Sequence, residues 1–227
     1  RQWWVRPFSR WYKQVNIHRR NHVLRLADTV TTISPWHVEF IQQFNPNVHL
    51  IYNGYDPSQF YAEDIPMDTF YISYIGRIYE FQSTALVEQA VRELNLPHVE
   101  LNIHTPDCRP IPLSAVGDEL RRSSMALVLT NPNAKGMMTT KFFEALGCEK
   151  PILCTPSDNG LLTKTIRDTN AGLASSAMDE IKAFILDKYH EWQQNGFTRQ
   201  AVINKEQFSR QQQAQQFEQL FMQCSKR

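Results

Sequence analysis

The chain has 227 residues, 42% apolar and 11% aromatic, with 24 Lys and Arg against 23 Asp and Glu for a formal net charge of +1. That is enough apolar material for one sizeable core, and the balanced charge gives no overall drive toward nucleic acid or acidic partners. Cys108, Cys148, Cys154 and Cys224 show no C-x-x-C spacing, which indicates neither a zinc site nor a disulfide framework and fits a reducing compartment. No stretch approaches the roughly 18 apolar residues of a membrane span, and the start lacks the apolar block of a signal peptide.

From Arg1 to Ala27 there are seven basic residues and no acidic one, interleaved with Trp3, Trp4, Phe8, Trp11 and Tyr12. Trp4, Phe8, Trp11, Val15, His22 and Leu26 recur near helical spacing, which predicts an amphipathic helix with Pro7 in its first turns. Such a helix can pack on this protein or on a preceding domain, or lie on an anionic membrane surface. Nucleic acid is the weakest partner, because the basic character stops there. The abrupt start, already helical, points to a piece of a longer chain.

Asp28 to Ile33 is β-branched and strand-like, Ser34-Pro35 opens a helix through Phe44, and Val48 to Tyr52 is a second strand ending at the turn signal Asn53-Gly54. A loop leads to the strand Phe70 to Ile75, closed by Gly76-Arg77. Helices at Thr84–Leu94, Leu113–Arg122, Thr139–Gly147 and Leu161–Asp168 then alternate with strands at Val99–His104, Met125–Thr130, Ile152 onward and Gly172–Ala174. Strands separated by single helices imply a doubly wound parallel α/β sheet, Rossmann-like, whose ligands bind beyond the carboxyl ends of the strands. The tail adds a stripe of Met178, Ile181, Ile185, Tyr189 and Trp192, a break at Asn195-Gly196, and a last helix with a seam of Phe217, Leu220, Phe221 and Cys224 and a wet face of glutamines from Gln211 to Gln219. These boundaries predict a segment 1–27, a central domain 28–195 and a terminal helix within 196–227.

The chain carries neither G-x-x-x-x-G-K-[ST] nor G-x-G-x-x-G, which counts against a P-loop enzyme and a dinucleotide dehydrogenase. There is no nucleophile elbow and no metal-binding spacing; His37, His49, His98 and His104 read as surface or capping residues. What remains are anion contacts: Arg77 beside Gly76 at a strand end, and Lys141 in the opening turn of the helix capped by Thr139 and Thr140. Glu144 lies three residues after Lys141, on the same face, so a phosphate and a sugar hydroxyl would both be in reach. The plainer reading of that pair is a solvated salt bridge, and of Arg77 an exposed loop arginine.

Ala27-Asp28-Thr29-Val30 with Ile33-Ser34, Val48 to Asp56 with Phe60, Tyr74-Ile75-Gly76-Arg77-Ile78, Lys141 to Leu146 with Lys150-Pro151-Ile152-Leu153, and Ala171-Gly172-Leu173 together resemble, in order, the C-terminal half of retaining glycosyltransferases of family 4, the glycosyl transferases group 1. The resemblance implies a GT-B architecture with this chain as the nucleotide-sugar donor domain, an acceptor domain ahead of Arg1, and a final helix from about Thr198 that braces it. It implies that Arg77 and Lys141 meet the donor diphosphate, Glu144 takes the ribose hydroxyls, and Gly76, Gln82, Met138, Thr139 and Thr140 complete the substrate-binding set at the phosphate end. It further implies transfer with retention onto a carbohydrate or glycolipid acceptor in polysaccharide or glycolipid assembly, in the cytoplasm or at the inner face of the membrane, with no cofactor or metal. Two residues depart from the family pattern. Gln82-Ser83 stands where a Lys-Gly pair is usual, and Gly136, with Lys135 beside it, stands eight positions before Glu144, where a second glutamate is usual. The short Thr105 to Pro110 stretch also replaces a Gly-rich loop around the base. The rival reading is a degenerate homologue that binds or scaffolds; an epimerase of the same architecture fits the loops less well.

Overall fold

The computed structural model describes residues 5–133 and 136–225, with side chains from residue 9 onward. The expectations for Trp3, Trp4, Lys135 and the Phe8 side chain fall outside what is described. The chain divides into two compact units, Arg1–Tyr52 with Ala214–Arg227, and Asn53–Gln213.

The first unit holds α1 (Val5–Leu26), β1 (Val30–Thr32), α2 (Pro35–Gln42) and β2 (Val48–Leu50). Pro35 opens α2, where its missing N–H costs nothing. The two strands pair in parallel, Val30 with Val48 and Thr32 with Leu50, through the α2 crossover. Asn45 secures the end of α1 by donating to the Leu24 and Ala27 carbonyls at 2.8 and 2.7 Å.

This arrangement corrects two expectations. Among the described residues β1 and β2 pair only with each other. Each strand is three residues long with no fully buried position, so they close a small β-α-β turn without joining the larger sheet. The covered face of α1 is also only in part the predicted stripe: Trp11 and Leu26 are 62% and 70% exposed, while Val15 of the stripe is partly covered together with Ile17, Asn21 and Leu24. The guanidinium groups of Arg20 and Arg25 lie over Phe40 and Phe44, and these cation–π contacts turn that side of α1 toward α2.

In the second unit β3 (Phe70–Ile75), β4 (Val99–His104), β5 (Met125–Leu129), β6 (Ile152–Thr155) and β7 (Gly172–Ala174) form one parallel sheet in the order β4-β3-β5-β6-β7. The helices between and after them are α3 (Ala85–Leu94), α4 (Val116–Arg122), α5 (Thr140–Gly147), α6 (Leu161–Asp168) and α7 (Met178–Asn195). Every residue of β5 and β6 is buried, as expected of parallel strands covered on both faces. Alternate residues Phe70, Ile72 and Tyr74 of β3 and Met125, Leu127 and Leu129 of β5 pack with Val87 and Ala90 of α3 and Ile181, Ile185, Tyr189 and Trp192 of α7. Phe70 meets Tyr189 and Trp192 edge to face at 5.7 and 5.9 Å, and both partners also use their polar ends, Tyr189 donating to Pro97 O and Trp192 to Met67 O.

The terminal helix α8 (Arg210–Cys224) starts later than Thr198. Residues 197–209 run instead as a strap whose hydrogen bonds go across the second unit: Gln200 N–H to Glu149 O and Ile203 N–H to Thr169 O, with the Thr198 hydroxyl on Ser124 O. Glu149 holds the strap from below through Arg199 at 3.2 Å and Lys205 at 2.5 Å. On α8 the expected seam is not uniformly covered, since Leu220 is buried but Phe221 is 67% exposed. Nor is the glutamine face wholly wet, because Gln213 is buried. No helix among the described residues is long and apolar enough to cross a membrane.

Lys150 is 2% exposed, and its nearest hydrogen-bond acceptor is Thr198 O at 3.5 Å. Burial pushes its pKa down to about 8 from 10.5, against the opposing pull of Cys148 and Asp64. Between those values the unfolded chain keeps a proton that the folded chain has lost, so this residue makes stability rise with pH from about 8 to about 10.5. Lys150→Met should remove a rise on the order of 3 kcal/mol, read as the difference between the two proteins' urea unfolding free energies at neutral and alkaline pH.

Candidate functional site

The chain runs outward from β3 to β4 and then returns to place β5 on the other side of β3, so strand order reverses between β3 and β5. Loops leaving the carboxyl ends at such a reversal splay apart and leave a crevice. Gly76 follows β3 there, Thr130 follows β5, and α5 begins beyond the loop after β5.

Thr139 caps α5 with its hydroxyl accepting from Phe142 N–H, which leaves the earlier N–H groups of the turn without partners in the helix. The amphipathic pattern of α5 buries Phe142, Phe143, Ala145 and Leu146 and so aims Lys141 and Glu144 away from that face. Lys141 reaches across to β3: a Cβ on Gly76 would lie 2.6 Å from Lys141 Cε and 2.9 Å from Nζ. The ammonium also sits over the Tyr74 ring, 5.3 Å from its centroid. Gly76 has φ of +129°, a conformation that suits glycine, and its bare backbone makes room for the lysine.

Lys141 and Glu144 do not meet as an ion pair among the described residues, so the plain salt bridge is absent. Burial is the main influence on both: it holds the Lys141 pKa down and the Glu144 pKa up, and their mutual attraction only partly offsets this. An anion beside Lys141 would favour its charged form.

The sequence-predicted residues divide by placement. Gly76, Lys141 and the cap Thr139 come together at the crevice, with Thr140 exposed at the helix start and Glu144 half-buried one turn on. Arg77 is exposed directly after Gly76, and its carbonyl accepts from the Tyr74 hydroxyl at 2.7 Å. Met138 turns its sulfur toward Thr165 of α6, whose hydroxyl lies 3.9 Å away. Gln82 is engaged at both ends of its amide: Nε2 donates to Leu129 O at 2.7 Å, and Oε1 accepts from Tyr79 N–H at 3.1 Å. It therefore braces the β3–α3 loop against the end of β5.

Two residues with roles here were given none from sequence, and a third was read differently. Tyr74 is fully buried, with its ring under Lys141 and its hydroxyl on the Arg77 carbonyl; burial pushes its pKa up to about 12. An aromatic two residues before a strand-ending glycine is the signal it left. Asp158 is fully buried and accepts from the Gly160, Leu162 and Thr163 N–H groups, fixing the start of α6. Ser157-Asp158 ahead of an apolar helix is its sequence mark. His104, read from sequence as a surface or capping residue, is buried at the end of β4 with Nδ1 2.8 Å from Arg109 O. Among the described residues no group of three or more His, Cys, Asp or Glu is placed to hold a metal ion.

No family model matches the chain, and no curated protein matches it in sequence. Among solved structures it is similar to a mutant of S. aureus TarM in complex with fondaparinux, alpha-GlcNAc-glycerol and UDP, with a TM-score of 0.58 and 13% identity. The match covers 89% of this chain and 46% of that one, so the chain spans about half the length of its neighbour. At that identity the likeness carries the fold: a parallel five-stranded α/β unit matching a Rossmann-like half of a GT-B glycosyltransferase-like architecture.

Proposed function

We propose that the second unit holds the donor site of a family 4 retaining glycosyltransferase, one that takes a nucleotide-diphosphate sugar and passes its sugar to a carbohydrate or glycolipid acceptor. The observation that carries this reading is the seating of the Lys141 ammonium against Gly76, at the strand-order reversal and over the opening turn of α5. The diphosphate would lie across the free N–H groups of that turn between Lys141 and Arg77, with the ribose hydroxyls on Glu144. Departure of the nucleoside diphosphate builds negative charge on its oxygens, and fixed cations with a helix start stabilise that charge without reorganising. The acceptor site, the polysaccharide or glycolipid role and action beside a membrane belong to the same proposal, by the resemblance to family 4.

The test is calorimetry with UDP and GDP. Lys141→Ala and Arg77→Ala should each weaken the better-bound nucleotide about tenfold or more, the loss of one charge-assisted contact. No heat with either nucleotide at millimolar concentration would favour the scaffold reading. That rival draws on Gln82, whose amide is committed to Leu129 and Tyr79 at the place where the family carries a cation.

A further inference from the structure

The loop from Gly76 to Thr84 carries two side chains that diphosphate binding leaves unused. Tyr79 and Phe81 are 51% and 61% exposed, and their rings lie nearly parallel, 3° apart in plane with centroids 5.6 Å apart. A single exposed aromatic is ordinary, but here two stack on one loop and stay more than half exposed. That loop is held on both sides of the rings. The Tyr74 hydroxyl binds Arg77 O, Gln82 N–H closes on Tyr79 O at 2.8 Å, and the Gln82 side chain takes Tyr79 N–H and ties to Leu129 O. Tyr79 comes two residues after Arg77, whose carbonyl takes the Tyr74 hydroxyl, so the ring pair adjoins the residue that underlies Lys141.

Between the two rings in sequence is Glu80, an exposed carboxylate. Its charge opposes an anionic diphosphate at this spot and suits a neutral group rich in hydroxyls. A pyranose has both faces of that chemistry: axial C–H bonds that rest on the electron-rich face of an aromatic ring, and hydroxyls that donate to a carboxylate. We propose that Tyr79 and Phe81 form a stacking platform for a neutral sugar ring of the substrate, with Glu80 accepting from its hydroxyls. This rests on the reading that the diphosphate lies between Lys141 and Arg77, and it assigns the adjoining loop to carbohydrate.

The whole chain serves for the test, with saturation-transfer NMR on methyl hexosides of gluco, galacto and N-acetylglucosamine configuration, and calorimetry with UDP and GDP alongside. Irradiating the aromatic resonances should transfer saturation to ring protons on one face of at least one hexoside. Tyr79→Ala with Phe81→Ala should cut that transfer about fivefold or more, the loss of one aromatic stacking contact. Glu80→Gln should weaken it about two- to threefold. Nucleotide affinity should stay within about twofold in these variants, and thermal stability should hold, because the side chains are exposed. A wild-type chain that binds UDP or GDP yet shows no transfer to any hexoside overturns the proposal. So does a double variant that loses nucleotide affinity about tenfold, since the rings would then be stacking the base. Transfer that depends on the rings, in a chain that binds neither nucleotide, would sink the donor-site reading and leave the platform standing.

Discussion

Gly76→Ala is expected to leave the chain folded and to weaken UDP or GDP binding about a hundredfold, more than any single removal of a cation. At φ of +129° an alanine is strained whatever the space around it, at about 1–3 kcal/mol. Its methyl would meet Lys141 Cε at 2.6 Å, but that is the far end of a flexible chain, so the lysine swings away and the sheet survives. The backbone at the crevice then carries a methyl where a diphosphate oxygen should approach, and the ammonium has left its place over Tyr74. Calorimetry reads the affinity, and circular dichroism confirms the fold. In a Lys141→Ala background the same substitution should cost much less, because the two residues act as one seat. Unchanged affinity in Gly76→Ala would remove Lys141 and Gly76 from the binding site altogether.

Gly172→Ala is expected to have the largest effect on stability, above about 4 kcal/mol, with a fall in Tm of about 10 °C or more or loss of soluble protein. Here φ is +149°, and a methyl would lie 2.1 Å from Ile152 O and 2.6 Å from Ile152 N. Both atoms are backbone of β6, paired in register with Gly172, so nothing flexible can yield as Lys141 does at Gly76. Relief requires β7 to separate from β6 at the base of α6. Thermal unfolding checks it, and an alanine variant within about 1 kcal/mol of wild type would mean that β7 is not held this closely.

Much of the second unit was legible because local signals and tertiary structure agree. β3, β4, α6 and β7 fall where apolar runs, caps and glycines place them, and Thr84 and Thr139 stand at the starts of α3 and α5 as helix-capping residue types do. Pairing was not legible, because β1 and β2 carry the same β-branched signature as strands of the main sheet and only long-range contacts decide which sheet they enter. The covered side of α1 was hidden for a related reason: Arg20 and Arg25 count as polar in a periodicity, yet their flat guanidinium groups pack on Phe40 and Phe44. At the candidate site the spacing of Lys141 and Glu144 could be read, but not the partner that Lys141 chooses. Tyr74 looked like an ordinary strand residue because nothing in a strand pattern reports what lies above the ring.

The amide of Gln82 joins the two lips of the crevice, one being the loop that starts at Gly76 and the other the last carbonyl of β5. A lysine at that position would have a single charged tip, free either to face a phosphate or to hold Leu129 O, but not to accept from Tyr79 N–H as well. With an amide there, one side chain both closes its own loop on Tyr79 and pins that loop to the end of β5, so the spacing of these two strand ends is fixed from within the chain.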